Sequence, residues 1–475
     1  MPRWMMERSI YLYIGLLLAV GILFRDHWIP WYFILFGLIE VIGFFYCSNY
    51  LTKEWSEVHV RSQIFEKRLF ITALSIRIIY VLLSYWFYTE MTGVPFEFHA
   101  ADSLFYNKAA IHGAEYLRTN GIHGFWDYYK DFNFSVGFDV SDIGYATYLS
   151  FVYFLSNNSI LVTRLIKAVL SATTVWLIYR LAKRNFGDQI ARITGVFCTV
   201  MPNLIYYCGL QLKETEMVFM TVLLVEQADY MLRSKHLSAW QLFFVLLIGA
   251  GLFTMRTALA IVAILALLFT LVLASNKVMN WAKRVILGLL AVALIGVTVG
   301  NRIEENARQL VEQVQAGGQK TNMEWRAQRN NGNKFAKYAS SAVFAPMIFT
   351  IPFPTLVNIP NQENQQYING GNYIKNILSG LVILTMFVLL LSGNWRKCAM
   401  PLSFMLGYLA VLTFSSFAQS ERFHMPALPF ELIFAAYGIS LLGKREKKWF
   451  NYWLILIFIA NIAWQWFKLA GRGMI

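Results

Sequence analysis

Apolar runs of about twenty residues recur along the chain and alternate with polar segments. A helix needs about that many residues to cross the hydrocarbon core of a bilayer. Helices are the expected spanning elements, because each backbone polar group must be satisfied inside the membrane. The pattern predicts an all-α polytopic membrane protein with about 13 transmembrane helices. The predicted spans are residues 9–24, 31–50, 69–89, 160–182, 188–206, 215–232, 239–256, 257–275, 284–300, 373–392, 399–417, 428–443 and 450–468.

Basic residues are unevenly distributed between these spans. If the N-terminus is inside, the cytoplasmic segments contain KEWSEVHVRSQIFEKR, RLAKRNFG, NWRKC and GKREKK. Cytoplasmic loops carry an excess of lysine and arginine, so this orientation is predicted and the C-terminus lies outside. The N-terminal MPRWMMER precedes an apolar run, as in a signal sequence, but no A-x-A site follows it. This favours a retained first helix.

Two long segments, 90–159 and 301–372, lie outside in this topology. The first begins with DSLFYNKAAIHGAEYLRTNG, which predicts a short helix ending at Gly121. An aromatic and acidic loop follows, and then GYATYLSFVYFLS, which is too short to span and is interpreted as an interfacial helix. The second begins with a charged helical pattern, RIEENARQLVEQVQ, and reaches the Pro-rich IPFPTLVNIP. Long loops that keep apolar and aromatic residues are typical of functional lids.

Composition excludes several other classes of protein. Charged residues make up 14% of the chain, against about 25% in soluble proteins. The net charge of +14 lies in short loops rather than on one basic face, so no nucleic-acid partner is expected. The four cysteines form no CxxC pair, which disfavours a disulfide framework or a zinc site. Asp127, Asp131, Asp139 and Asp142 are interpreted as a solvated acidic loop.

Ionisable residues collect at the outer ends of different spans. They are Asp102, Arg164, Lys213, Glu214, Glu216, Arg256, Glu421, Arg422 and His424. Charges near a membrane usually face a bundle interior or a wet cavity, so their common level predicts one cavity open to the outside. Carboxylates there can accept a proton or hold a divalent cation, and basic side chains can neutralise a phosphate. Such a cavity suits a sugar linked through phosphate to a membrane lipid.

Four segments add a pattern in their order along the chain. ADSLFYNKAA places an acid at the start of an external loop, and FCTVMPNLIYYCGLQLKETEMVFM places another before the next helix. FTMRTALAIV and SERFHMPALPFELIFAAYGI supply basic residues at later positions. In this order the segments resemble GT-C glycosyltransferases of the PMT/ArnT-like group, which use polyprenyl-phosphate sugars. The resemblance covers residues 69–300 well and 399–443 moderately.

The resemblance implies a membrane glycosyltransferase of the cell envelope. It would move a sugar from a polyprenyl-(di)phosphate donor to a lipid, glycan or protein acceptor outside a bacterial inner membrane. Asp102 would act as general base or metal-bound acid, with Glu214 as its partner. Six residues are implied in substrate binding: Tyr106, Arg164, Lys213, Arg256, Arg422 and His424. A divalent cation, Mg²⁺ or Mn²⁺, at Asp102 and Glu214 stays open, because Ser103 stands where many relatives have a second acid.

The same comparison predicts how the chain is divided. Residues 1–68 form two extra helices and a basic cytoplasmic loop, and residues 69–300 form the GT-C-like catalytic core. Residues 301–372 form an external lid, and residues 373–475 the C-terminal helices. Two other functions remain in view: a polymerase or ligase that moves whole oligosaccharides, and a flippase or transporter of lipid-linked sugars. The polar residues Glu40, Arg77, Glu226 and Asp229 in or near spans keep transport open.

Overall fold

The computed structural model describes residues 1–56, 62–135, 140–234, 239–273, 345–415 and 418–475, together with Val285. Regular structure in these residues is helical, apart from one bridge between Trp28 and Val357. The α-helices are α1 (Arg3–Leu23), α2 (Trp31–Ser56), α3 (Ser62–Thr92), α4 (Ala101–Asn120), α5 (Phe125–Ser135), α6 (Val140–Ser156), α7 (Ile160–Phe186), α8 (Asp188–Val200), α9 (Pro202–Tyr206), α10 (Glu214–Arg233), α11 (Ala239–Met255), α12 (Thr257–Leu273), α13 (Glu363–Tyr367), α14 (Asn369–Ser392), α15 (Ala399–Phe414), α16 (Glu421–His424), α17 (Leu428–Ser440) and α18 (Lys444–Ala470).

Within the described residues, seven helices are long and apolar enough to cross a membrane. They are α1, α2, α3, α7, α14, α15 and α18. Three shorter apolar helices, α11, α12 and α17, accompany them. The all-helical multi-pass class is confirmed, and the count of thirteen spans stays a prediction. The predicted span 284–300 and the charged helical pattern 302–315 lie outside the described residues, apart from Val285.

The first external segment is more helical than its sequence predicts. The helix predicted to end near Gly121 is α4, and Gly121 adopts a positive φ of 68° at its C-terminus, a conformation that glycine tolerates best. The predicted aromatic loop is wrong, because residues 125–135 form α5. Its rings recur at helical spacing: Phe125 stacks on Tyr129, and Tyr128 stacks on Phe132. Burial of Phe125 and Tyr129 favours the helix.

The predicted span 188–206 is broken near its outer end. Helix α8 stops at Val200, and Met201 is extended ahead of Pro202, as the proline ring requires of its predecessor. Buried Arg77 of α3 donates hydrogen bonds to the carbonyls of Cys198 (3.0 Å) and Thr199 (3.2 Å) and to Ser171 (2.6 Å). Because α8 ends at Val200, no following turn of the helix supplies backbone N–H groups to these carbonyls. Arg77 therefore compensates for the break in α8.

The other polar residues in or near spans also make structural contacts. Glu40 of α2 accepts a hydrogen bond from the backbone N–H of Gly371, in the first turn of α14, at 2.9 Å. Near the opposite ends of the helices, Arg184 of α7 pairs with Glu226 (3.1 Å) and Asp229 (2.6 Å) of α10. Charge pairs of this kind satisfy groups that would otherwise be costly at membrane depth.

Helix ends from distant parts of the chain meet on one side of the bundle. Helix α4 packs along α6, and α6 packs on α11. Gly144 permits the second contact, since an added Cβ would lie 2.1 Å from the Thr254 hydroxyl oxygen. The segment 351–368 folds beside these ends, ahead of α14. This convergence brings the start of α4, the start of α10 and the short α16 together.

Candidate active site

Arg422 of α16 joins the two acids singled out in the sequence. Its Nη1 donates to the carboxylate of Asp102, and its Nε donates to the carboxylate of Glu214. Burial alone would lower the pKa of Arg422, but the carboxylates of Glu214 and Asp102 outweigh it and raise that pKa well above its ordinary value. Arg422 is therefore a permanent positive charge between α4 and α10.

Each member of this bridge keeps some capacity for a ligand. Asp102 is 54% exposed and is bound by Arg422 through Oδ2 only. Arg422 makes no hydrogen bond through Nη2 to any residue that the structure describes. The second carboxylate oxygen of Glu214, Oε2, is buried and lacks a hydrogen-bond partner in the same part of the chain. Unsatisfied buried polar atoms are uncommon in native proteins and call for an explanation, such as a ligand or water.

Asp102 and Arg422 line a polar cavity of about 290 Å³. Glu97, Glu421 and Tyr207 contribute to the same wall. The rest of the lining includes the side chains of Asn361, Gln362, Asn364 and Gln365, which precede α14. Of the ionisable residues singled out in the sequence, Asp102, Glu421 and Arg422 thus line one cavity.

Glu97 is a further acid of this cavity that the sequence analysis did not select. It is 6% exposed, accepts a hydrogen bond from Ser103 at 2.5 Å, and has an unpartnered Oε2 among the described residues. Burial raises the pKa of its carboxyl above the ordinary range, against the opposing effects of the Ser103 hydrogen bond and Arg164. Its only sequence signal is its place five residues before Asp102. Ser103, the residue after Asp102, donates this hydrogen bond and so supports Glu97.

Lys213 and Tyr106 both contact Asp142, which the sequence analysis assigned to a solvated loop. The Tyr106 hydroxyl donates to Asp142 at 2.6 Å, and Lys213 pairs with the same carboxylate and donates to the Met255 carbonyl at 2.8 Å. Burial lowers the pKa of Lys213, and Asp142 opposes that shift. The solvated-loop interpretation of Asp142 is wrong, because this acid neutralises a buried lysine.

The remaining predicted residues lie outside the cavity lining. Arg164 is buried at the start of α7, donates to the Pro95 carbonyl and lies over the Tyr85 ring. The guanidinium carbon of Arg256 lies 4.3 Å from the ring centre of Phe423, the residue that follows Arg422.

His424 is buried and engaged at both ring nitrogens. Its Nε2 is 2.8 Å from the Ala418 carbonyl oxygen, and its Nδ1 is 2.8 Å from the Lys375 ammonium group. The carbonyl requires a donor at Nε2, and the ammonium group requires an acceptor at Nδ1, so the ring is neutral. Burial, with Lys375 adding to the effect, lowers the pKa of His424 well below its ordinary value. These contacts indicate a structural histidine.

The arrangement of Asp102 and Glu214 does not suit a divalent cation. A cation would have to bind where the Arg422 guanidinium group already bridges the two carboxylates. Within the described ranges, no three histidine, cysteine or acidic side chains lie together as metal ligands. Calcium and magnesium sites need several oxygen ligands, and Arg422 brings a positive charge to these two carboxylates.

An apolar groove of about 530 Å³ adjoins the polar cavity. Helices α2 and α3 form its sides, and Val200, Pro202 and Ile205, at the break between α8 and α9, form its end. Ile79 and Trp86 in its lining are more than half exposed, so the groove opens on the outer surface of the helix bundle. Tyr206 lines both the groove and the polar cavity.

Comparison with known proteins agrees with this architecture. No curated protein matches the chain. Residues 143–300, about a third of the chain, match the family described as dolichyl-phosphate-mannose-protein mannosyltransferase. The matched region contains Arg164, Lys213, Glu214 and Arg256 and begins immediately after Asp142. Over these residues the multi-pass membrane chain is similar to the PMT family of membrane glycosyltransferases, which belongs to the GT-C class.

Proposed function

We propose that this glycosyltransferase transfers a sugar from a polyprenyl-phosphate donor to an acceptor hydroxyl in the polar cavity. One observation carries the proposal: a polar cavity and an apolar groove share the wall formed by Tyr206. A polyprenyl-phosphate sugar has a matching division into a polar head and a long apolar tail. The head would occupy the cavity beside Arg422, and the first part of the tail would follow the groove between α2 and α3.

The free groups of the site fit the chemistry of this transfer. The acceptor oxygen forms a bond to the anomeric carbon, while the bond from that carbon to the phosphate oxygen breaks. The lipid phosphate leaves with the bonding electron pair, and Arg422 is placed to stabilise its negative charge through Nη2. Asp102 accepts the acceptor's proton at Oδ1, since its Oδ2 is held by Arg422. Glu214 fixes the orientation of Arg422 from the other side.

The positive charge of Arg422 leads us to propose a transfer that does not depend on a divalent cation. In many phosphate-binding enzymes such a cation neutralises the leaving group. The guanidinium group here fills that role, and its two hydrogen bonds to acids fix its position. Activity that withstands chelation of divalent cations is the expected result. Loss of activity on chelation, with recovery on addition of Mg²⁺ or Mn²⁺, would contradict it.

We further propose that the cavity faces the periplasm or exterior, in a bacterial inner membrane. Lys183 and Arg184 end α7, Arg233 ends α10, and Arg396 precedes α15. Arg233 and Arg396 lie at the ends of α10 and α15 that are remote in sequence from the cavity lining, and Arg184 pairs with Asp229 near the same end of α10. Loops rich in such residues remain in the cytoplasm, which supports an external cavity.

Transport of lipid-linked sugars has less support. Transporters place polar binding groups near the bilayer midplane, on interrupted helices. Here Arg77, Glu40, Glu226 and Asp229 all bond to other parts of the protein. Among the described residues, the groups left without partners include Glu97, which lines the cavity, and Glu214, which binds Arg422. This distribution favours chemistry at one surface.

Replacement of Asp102 by asparagine tests the proposed base. Asp102→Asn cannot take up the acceptor's proton, so transfer from a polyprenyl-phosphate sugar should fall by roughly 10²- to 10⁴-fold. Because Asp102 is 54% exposed, the thermal midpoint of the purified protein should change little. Asp127→Asn, an exposed aspartate on α5, is the matched control and should keep full activity. Full activity of Asp102→Asn would exclude this residue as the base.

The same assay separates monosaccharide transfer from transfer of a preassembled glycan. Purified protein would be incubated with labelled lipid-linked monosaccharide in one reaction and labelled lipid-linked oligosaccharide in another. Turnover of the monosaccharide is expected. Turnover of the oligosaccharide alone would identify a polymerase or ligase.

A further inference from the structure

The segment 361–365, NQENQ, forms an unusually amide-rich part of the cavity wall. Asn361, Gln362, Asn364 and Gln365 all line the cavity that contains Asp102 and Arg422. The segment lies between the Pro-rich stretch 351–360 and α14, both of which are mostly apolar. We call residues 361–365 the amide segment.

Buried Lys468 of α18 fixes two amides of this segment. Its Nζ donates to Oε1 of Gln362 at 3.1 Å and to Oε1 of Gln365 at 2.8 Å. An ammonium group has only donors, so it requires the oxygen of each amide. Both NH₂ groups therefore turn away from Lys468. Neither donates a hydrogen bond to any residue in the described part of the chain.

Two contacts attach the amide segment to the residues just before Asp102. Asn364 donates through Nδ2 to the Phe98 carbonyl at 2.7 Å, and His99 lies 3.3 Å from Glu363. The amide segment and the start of α4 therefore form one continuous wall. The amide donors lie in the same small cavity as the acids.

The cavity combines hydrogen-bond donors and acceptors in a way that suits a sugar. Gln362 and Gln365 offer N–H donors, whereas Glu97 and Asp102 offer carboxyl oxygens. Each hydroxyl of a sugar both donates and accepts a hydrogen bond, so it can use both kinds of group.

We propose that Gln362 and Gln365 bind hydroxyl groups of the transferred sugar and thereby select the donor, with Lys468 as the positioning residue. This inference rests on the proposed function and assigns specificity residues to the same cavity. A site built to hydrogen-bond a hydroxyl discriminates strongly, because its polar groups lose their partners when the hydroxyl is absent or displaced. The amide segment would then distinguish sugars, while Arg422 binds the phosphate common to all donors.

The test compares a polyprenyl phosphate without a sugar with the same lipid carrying a sugar. Binding of polyprenyl phosphate and of the same lipid carrying mannose or glucose would be measured on the purified full-length protein. Gln362→Leu and Gln365→Leu remove the amide at similar side-chain size. The preference is the affinity for the better-bound sugar lipid divided by the affinity for polyprenyl phosphate. Each variant should reduce this ratio by about fivefold, the effect of one neutral hydrogen bond. Affinity for the sugar-free lipid should not change.

Two further variants complete the experiment. Asn358→Leu alters an exposed amide outside the cavity lining and should leave the preference intact. Lys468→Met should reduce the preference without changing affinity for polyprenyl phosphate, a result that general loss of structure would not give. If a leucine variant does not fold, Gln365→Asn keeps the amide but shortens its reach, and should also reduce the preference.

The outcomes separate this inference from the proposed function. If the unmodified protein binds neither lipid, the proposed polyprenyl-phosphate site is wrong. If it binds both lipids equally, or if the glutamine variants change both affinities alike or neither, the proposed role of the amide segment is overturned. Loss of the sugar preference alone supports it.

Discussion

Individual side chains at the site are each fixed by a specific polar contact. Ser103 donates to Glu97, Tyr106 donates to Asp142, and Asp102 is held by Arg422. Each acid thus has a different environment: Glu97 is buried with one free oxygen, Asp142 neutralises a lysine, and Asp102 is exposed. Different environments suit different roles for carboxylates of the same type.

The raised pKa of Glu97 predicts how stability depends on pH. Burial favours the protonated carboxyl in the folded state, so its contribution to stability is full below the ordinary glutamate pKa. That contribution is lost as pH rises from this value through the folded pKa. Glu97→Gln is neutral at every pH and can still accept from Ser103. Its thermal midpoint should therefore rise relative to the unmodified protein as pH increases from about 4 towards 8. Parallel midpoint curves would contradict this.

The residues recovered from the sequence are those with a strong local signal. Asp102 comes shortly after one apolar run, and Arg422 lies between two others. The predicted topology therefore places both residues on the same side of the membrane. Glu97 and Gln365 could not be found in this way, because their role depends on contacts with Ser103 and Lys468. A sequence gives the side of the membrane on which a residue lies, but not the residue that it faces across a cavity.

At the scale of helices, one ion pair links three elements around the site. Asp142 near the start of α6 accepts from Tyr106 of α4 and pairs with Lys213, which directly precedes α10. The aromatic periodicity of α5 and the break of α8 at Pro202 were both present in the sequence. They were missed because the acidic residues of α5 suggested a loop, and because the apolar run continues past Val200 although the helix does not.

Removal of the Asp142 charge should destabilise this junction. Asp142→Asn removes the carboxylate that pairs with buried Lys213, and breaking a buried pair in this way costs about 3 kcal/mol. A lower thermal midpoint is expected, in contrast to Asp102→Asn. Asp131→Asn, an exposed aspartate of α5, is the control and should unfold like the unmodified protein. An unchanged midpoint for Asp142→Asn would show that Lys213 does not depend on this pair.

At the scale of the whole molecule, Tyr206 lines both the groove and the cavity, so the proposed tail site lies next to the proposed site of the polar head. Helices α2 and α3 belong to different predicted parts of the chain, since α2 is one of the two extra N-terminal helices. Both nevertheless line the groove. The first 68 residues therefore contribute to the proposed donor site rather than only preceding the catalytic core.

Filling the groove should weaken binding of the donor's tail. An added side chain at Gly43 of α2 would meet no atom within 4 Å, and this residue lines the groove. Gly43→Phe should raise KM for a long polyprenyl-phosphate sugar with little change in kcat, and should have less effect on a donor with a very short tail. Gly15→Phe on α1 also meets open space but lies outside the groove lining, so it serves as the control. Equal effects on both tail lengths would argue against the groove as the tail site.

The exposure of Ile79 and Trp86 along the groove has a kinetic consequence. A donor that enters between α2 and α3 arrives sideways from the bilayer and never crosses water. Its effective concentration is then its mole fraction among the surrounding lipids. Dilution of the membrane with inert lipid would slow the enzyme even when the total amount of donor in the tube is constant, whereas a water-soluble acceptor would follow its bulk concentration.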